Sequence, residues 1–142
     1  MKTSHLTKKD IMTIVAGHHV PYAASACVAY PADMLRKMRR AVATGAGFRF
    51  LHLLSPCPPG WKIPSELTVK LSRLAVRTRI FPLYEIEDGK YAIQEDCMKD
   101  RVPMQEYLRL QGRFSHLKNQ EVESIQRMVD EQWERLQKRA KC

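Results

Sequence analysis

Apolar residues fall along this chain in two patterns. Short, nearly continuous runs predict strands, and longer stretches with apolar residues every three or four positions predict helices. Residues 48–54 are of the first kind, with Phe48, Phe50, Leu51, Leu53 and Leu54 interrupted only by Arg49 and His52. Such a run reads as a strand buried on both faces, as in a parallel sheet. Residues 22–29, which open after Pro21, are a second strand built mainly of alanines and other small side chains. Between the two lies a helix that starts with Pro31 and Asp33 in its first turn and stops at Gly45 and Gly47. Its apolar positions Met34, Leu35, Met38, Ala41 and Val42 share one face, and Arg36, Lys37, Arg39 and Arg40 fall largely off it. Strand, helix and strand in close succession make a βαβ unit, so the two strands should run parallel.

The flanking segments complete an α/β pattern. Asp10 can cap a helix over residues 11–18 that ends near Gly17. Pro64 and Ser65 open an amphipathic helix with Leu67, Leu71, Leu74 and Ala75 inward. Residues 80–86 form a short strand, and Pro82 argues for a place at the sheet's edge. Asp88-Gly89 is a hairpin signal, with residues 90–93 as the return strand. Residues 94–102 read as polar loop, and a helix follows from Pro103 to about Leu110. Asn119 caps the last helix, whose stripe is Val122, Ile125, Val129, Trp133, Leu136 and Ala140. The expected fold is one domain over residues 1–142, a mostly parallel sheet with flanking helices, a short hairpin and a C-terminal amphipathic helix.

Charge divides the chain. The net charge is +9, and residues 1–79 carry 13 Lys and Arg against 3 Asp and Glu. A basic half suits an acidic partner, but no nucleic-acid motif accompanies it, so nucleic acid is not the expected partner. No stretch reaches the roughly 18 apolar residues a membrane helix needs, and the first ten residues lack a signal-peptide core. A cytoplasmic protein without membrane association is expected.

The candidate chemistry centres on Cys57. It lies in Ser55-Pro56-Cys57-Pro58-Pro59-Gly60-Trp61, where the strand over residues 48–54 ends abruptly. Prolines fix φ and remove donors, which makes the segment stiff. Ligands bind at the carboxyl ends of strands in open α/β sheets. Local sequence leaves Cys57 open between a ligand role and that of a small buried hydrophobe. The other three cysteines form no CxxC pair with it. Cys27 reads as core, Cys97 as a surface thiol in a polar loop, and Cys142 as an inert terminal residue. The adjacent His18 and His19 diverge in direction and read as a helix end. The group from Gln111 to His116 either meets a partner or links two helices. No triad, carboxylate pair or phosphate-cradling glycine loop is present.

Several segments together carry a resemblance. Lys8-Lys9-Asp10-Ile11, His19-Val20-Pro21-Tyr22-Ala23-Ala24, the Cys57 segment, Leu74-Ala75-Val76, Phe81-Pro82-Leu83-Tyr84-Glu85 and Tyr107-Leu108-Arg109-Leu110-Gln111-Gly112-Arg113-Phe114 occur in this order. The chain resembles the C-terminal half of the β subunit of the 2-oxoacid:ferredoxin oxidoreductases, pyruvate synthase in particular. The resemblance implies part of a thiamine-diphosphate-binding fold. It also implies oxidative decarboxylation of a 2-oxoacid, pyruvate first, with coenzyme A, giving an acyl-CoA, carbon dioxide and reduced ferredoxin. Cys57 resembles the fourth ligand of the family's [4Fe–4S] cluster nearest the thiamine. The family's Cys-x-x-Cys pair, third cluster cysteine and Gly-Asp-Gly segment for Mg²⁺ and diphosphate lie in a first half that has no counterpart here. The expected partners are therefore that N-terminal half or other oxidoreductase subunits, together with ferredoxin, and the isolated chain is expected to be inactive. The basic surface of Arg36, Lys37, Arg39 and Arg40 is expected to face the other half. The alternative is a non-catalytic remnant or interaction module that has kept the fold.

Overall fold

The computed structural model describes residues 9–141. Asp10 caps helix α1 (Ile11–Ala16), its Oδ1 accepting the Thr13 amide at 3.1 Å. Strand β1 (Tyr22–Cys27) follows and is buried along its whole length. Its alanines leave room for helices to approach on both faces. Helix α2 (Pro31–Ala43) then leads to strand β2 (Arg49–Leu54), which pairs parallel with β1 from Tyr22↔Arg49 to Cys27↔Leu54. The βαβ expectation holds.

The rest of the sheet departs from expectation. Strands β3 (Tyr84–Glu87) and β4 (Lys90–Ile93) form a hairpin through Asp88 and Gly89, both at positive φ (48° and 79°). The order is β2-β1-β3-β4, with β1–β3 and β3–β4 antiparallel. One pair of three is parallel, so the sheet is mixed rather than mostly parallel. A hairpin closed by two residues can only join antiparallel strands, and a single helical crossover supplies a single parallel pair.

Two edge assignments exchange places. The strand expected at the edge, β3, is interior. Pro82 precedes its ladder, and Ser25 bridges the gap, its Oγ donating to the Pro82 carbonyl at 2.8 Å and accepting the Tyr84 amide at 2.9 Å. Strand β2, expected to be buried on both faces, is the terminal strand and only half-buried.

Helix α2 packs on one face of the sheet, where Ala41 meets Tyr22, Ala24 and Leu51. It is held there by charge. Buried Lys37 donates to the Ser25 carbonyl at 2.9 Å and to Asp33 at 2.7 Å. Arg36 reaches Glu85 of β3 at 2.6 Å, and Arg40 pairs with Glu87. Three of the four cations expected to face another half are thus spent within the chain. The opposite face carries the main core, where Ala23 and Cys27 of β1 meet α1, helix α4 (Thr68–Arg77), helix α5 (Met104–Leu108) and helix α6 (Asn119–Ala140). Lys118, not Asn119, occupies the cap position of α6, its amide donating to Glu121 at 2.8 Å. The expected polar loop at 94–102 contains a 3-10 turn, Glu95–Met98, that buries Met98.

Candidate functional site

Three residues beyond β2, Cys57 occupies the cap position of a one-turn helix, α3 (Pro58–Trp61). Pro58 and Pro59 suit the first turn, because they lack amides that a helix start leaves unbonded anyway. The Trp61 amide closes the turn on the Cys57 carbonyl at 2.8 Å, and Lys62 ends it at φ 52°. Pro56 is buried and anchors the segment, whereas Cys57 is exposed. A Cβ on Gly60 would lie 3.4 Å from the Cys57 Sγ, so glycine leaves that flank of the thiol uncrowded.

A distant segment braces this turn. Trp61 packs edge-on against the buried Tyr107, with ring centres 6.4 Å apart. Arg113 stacks its guanidinium on Trp61 at 4.0 Å and donates from Nε to the Gln111 side chain at 3.0 Å. Gln111 is itself buried and donates to the Tyr107 carbonyl at 2.8 Å. The Gly112 amide donates to the Lys62 carbonyl at 3.1 Å, and a Cβ on Gly112 would meet the Lys62 Cβ at 2.9 Å. Only glycine allows the two backbones to come so close. Within the group from Gln111 to His116, the segment from Gln111 to Phe114 is therefore more than a plain linker. It supports the Cys57 turn.

The two segments that meet here both carry the resemblance to the oxidoreductase family, and comparisons with known proteins find relatives named as subunits of such enzymes. The chain is 46% identical over 134 residues to the ketoisovalerate oxidoreductase subunit VorB of Pyrococcus abyssi, covering 94% of this chain and 43% of that one. It is 46% identical over 124 residues to the pyruvate synthase subunit PorB of Methanocaldococcus jannaschii, covering 87% and 41% respectively. The pyruvate synthase subunit PorB of Thermotoga maritima is 39% identical over 134 residues. The chain is a homologue of the 2-oxoacid:ferredoxin oxidoreductase β subunits. No family model matches it. It spans less than half the length of these relatives.

The other candidate residues of this homologue lie apart from Cys57. Cys27 is fully buried, and burial pushes its thiol pKa up. Cys97 is half-buried rather than a surface thiol, because the 3-10 turn draws it in against Tyr30, whose hydroxyl donates to the Cys97 carbonyl at 3.4 Å. Burial raises its pKa as well. Cys142 lies outside the described residues. His18 and His19 are exposed in the turn after α1, with His19 at φ 53°. Among the described residues, no group of three or more His, Cys, Asp or Glu could hold a metal ion. Nor is any helix among them long and apolar enough to cross a membrane.

Sequence reasoning passed over Arg79, which ends the turn after α4 at φ 65°. Its guanidinium lies 4.4 Å from the Trp133 ring centre, and its buried Nε makes no hydrogen bond. Burial, with Arg101 nearby, pushes its pKa down. No periodic signal marks a lone arginine in a turn.

Proposed function

We propose that this chain works as the C-terminal component of a 2-oxoacid:ferredoxin oxidoreductase β subunit and contributes Cys57 as one ligand of a [4Fe–4S] cluster. The observation that carries the reading is the exposed Cys57 thiol on a braced one-turn helix at the carboxyl edge of the parallel pair. A thiolate is the donor such clusters take, and fixed surroundings tune their potential.

The donor set sets the limits of the reading. One exposed cysteine fits one ligand position, and a four-iron cluster takes four. The remaining three thiolates, and the residues for Mg²⁺ and thiamine diphosphate, belong to another polypeptide segment. The cluster, when bound, supplies one-electron transfer toward ferredoxin. This chain's own part is to hold one sulfur in place, with Trp61, Tyr107 and Arg113 fixing the turn that carries it. Its relatives bear the names of both pyruvate and ketoisovalerate enzymes, so the substrate class is a small 2-oxoacid, with pyruvate as our first choice. Coenzyme A as acyl acceptor follows from the same reading.

Anaerobic purification of the chain from its native cells tests this. Co-purification with a polypeptide bearing three cluster cysteines, with iron and acid-labile sulfide present and the cluster lost on Cys57→Ser, is the expected result. A chain that purifies without partner, iron or thiamine would overturn it.

A further inference from the structure

Among the described residues, Arg79 alone has a buried side-chain nitrogen or oxygen without a hydrogen-bond partner, its Nε. It also sits at φ 65°, a backbone setting that suits glycine and that an arginine adopts only against a steric penalty. Its guanidinium stacks on the Trp133 ring at 4.4 Å. Stacking occupies the face of a guanidinium, whereas its donors lie in the plane of the group, so Trp133 leaves them unused. Burial and the neighbouring Arg101 disfavour its charge more than Asp130 favours it. An arginine that is strained, partly desolvated and left with a spare donor is set up to receive an anion.

Arg79 lines a cleft of about 250 Å³ bounded by the sheet, α1, the turn after α4 and α6. Lys9, Arg79, Arg135 and Arg139 border it as cations, against Asp10 as the single carboxylate. Asp10 is already committed, because its Oδ1 caps α1 and Arg139 lies 3.6 Å from its Oδ2. Arg135 meets Glu131 at 3.5 Å, a pair too exposed to hold it firmly. The walls are apolar, formed by Ile80, Phe81, Trp133 and Leu136. Phe81, Trp133 and Leu136 belong to the core, so the walls keep their shape. The space falls just under the range of about 300–1,000 Å³ usual for drug-sized ligands, and so fits a smaller molecule.

We propose that this cleft binds a small organic carboxylate with a branched or aromatic body, the carboxylate held by Arg79 and the body packed against Phe81, Trp133 and Leu136. An arginine fork matches the two oxygens of a carboxylate, and an apolar body displaces water from the walls. Inorganic phosphate would satisfy the arginine but leave those walls wet. Residues 1–8 of this chain are a poorer occupant, because they contain Lys2 and Lys8 and no Asp or Glu. None of Cys57, Trp61, Tyr107, Gln111 and Arg113 lines the cleft. The inference therefore goes beyond the proposed cluster ligand and does not depend on it.

Calorimetric titration of the purified chain tests this, with phenylacetate as the probe and phenylacetamide and inorganic phosphate as its uncharged and non-organic counterparts. The expected result is one-to-one binding of phenylacetate at least tenfold tighter than either counterpart. Arg79→Gly should weaken it tenfold or more while the unfolding midpoint holds or rises, because glycine suits φ 65°. Arg79→Lys should fall between, since one ammonium replaces a fork. Absence of phenylacetate binding, equal binding of phenylacetamide or phosphate, or wild-type affinity in Arg79→Gly would each overturn the proposal. The same titration on the assembly purified from native cells separates a free ligand from a carboxylate side chain of a partner. Binding retained there supports the free ligand. Binding present in the lone chain but lost in the assembly assigns the cleft to the partner, which overturns the proposal and leaves the assembly reading standing.

Discussion

The Arg113 guanidinium lies 4.0 Å from the centre of the Trp61 ring and so joins a loop near the C-terminal helix to the turn that presents Cys57. The same guanidinium is 4.5 Å from the Phe114 ring and is steered by Gln111. The turn that carries the Cys57 thiol is thus held from behind by side chains of another segment.

Removing that brace should loosen the turn. Arg113→Ala loses a partly buried stacking contact and a hydrogen bond, about 1–2 kcal/mol in chemical denaturation. Arg113→Lys should recover only part of it, because an ammonium neither stacks as a plane nor donates in a fork. Gly112→Ala should be at least as damaging, since the new Cβ would sit 2.9 Å from the Lys62 Cβ.

Thiol reactivity should rank by burial. Iodoacetamide at neutral pH should modify Cys57 well before Cys97 and Cys27, read by peptide mass spectrometry, because Cys57 is exposed and burial raises the other two pKa values. Cys57→Ser should change the stability of the chain by less than about 0.5 kcal/mol, as expected for an exposed position.

Lys37 is a structural cation. Lys37→Ala leaves the Ser25 carbonyl without its donor and Asp33 with Arg36 as its remaining ionic partner, and should cost about 3 kcal/mol. The double change Lys37→Met with Asp33→Ala should recover much of that loss in urea unfolding, because no buried charge is then left unpaired.

Acid sensitivity should trace in part to Glu85. Burial alone would raise its pKa, but hydrogen bonds from Arg36 and Tyr22 outweigh this and hold it below the ordinary carboxylate value. A depressed folded-state pKa contributes stability above the unfolded value and loses it as pH falls through the folded value. The wild type should therefore lose stability on acidification below about pH 4.5, and Glu85→Gln should make that part of the profile shallower. An unchanged acid slope in Glu85→Gln would refute the assignment.

Element type was legible from the chain wherever the pattern was local. Asp10 before α1, proline and Asp33 at the start of α2, Asp88-Gly89 in the hairpin and the stripe on α6 each fixed an element within its own few residues. The order of the strands was not local. Whether β2 or β3 lies at the edge depends on which strand β1 accepts on each side, and neither the apolar run in β2 nor Pro82 before β3 encodes that choice. The basic face of α2 misled for a related reason. Periodicity shows that Arg36 and Arg40 avoid the apolar face, but not that Glu85 and Glu87 of β3 come to lie beside them.

By itself, then, the sequence determined the α/β class, the parallel βαβ unit, the stiffness of the Cys57 segment and the kinship with the oxidoreductase β subunits, because each is written in neighbouring residues or in whole motifs. Only the tertiary structure decided that the sheet is mixed, that β2 is the terminal strand of the described sheet, and that Arg113 and Trp61 brace the Cys57 turn. Those outcomes depend on contacts between residues far apart in the chain, where burial and pairing of one segment are set by what another leaves free.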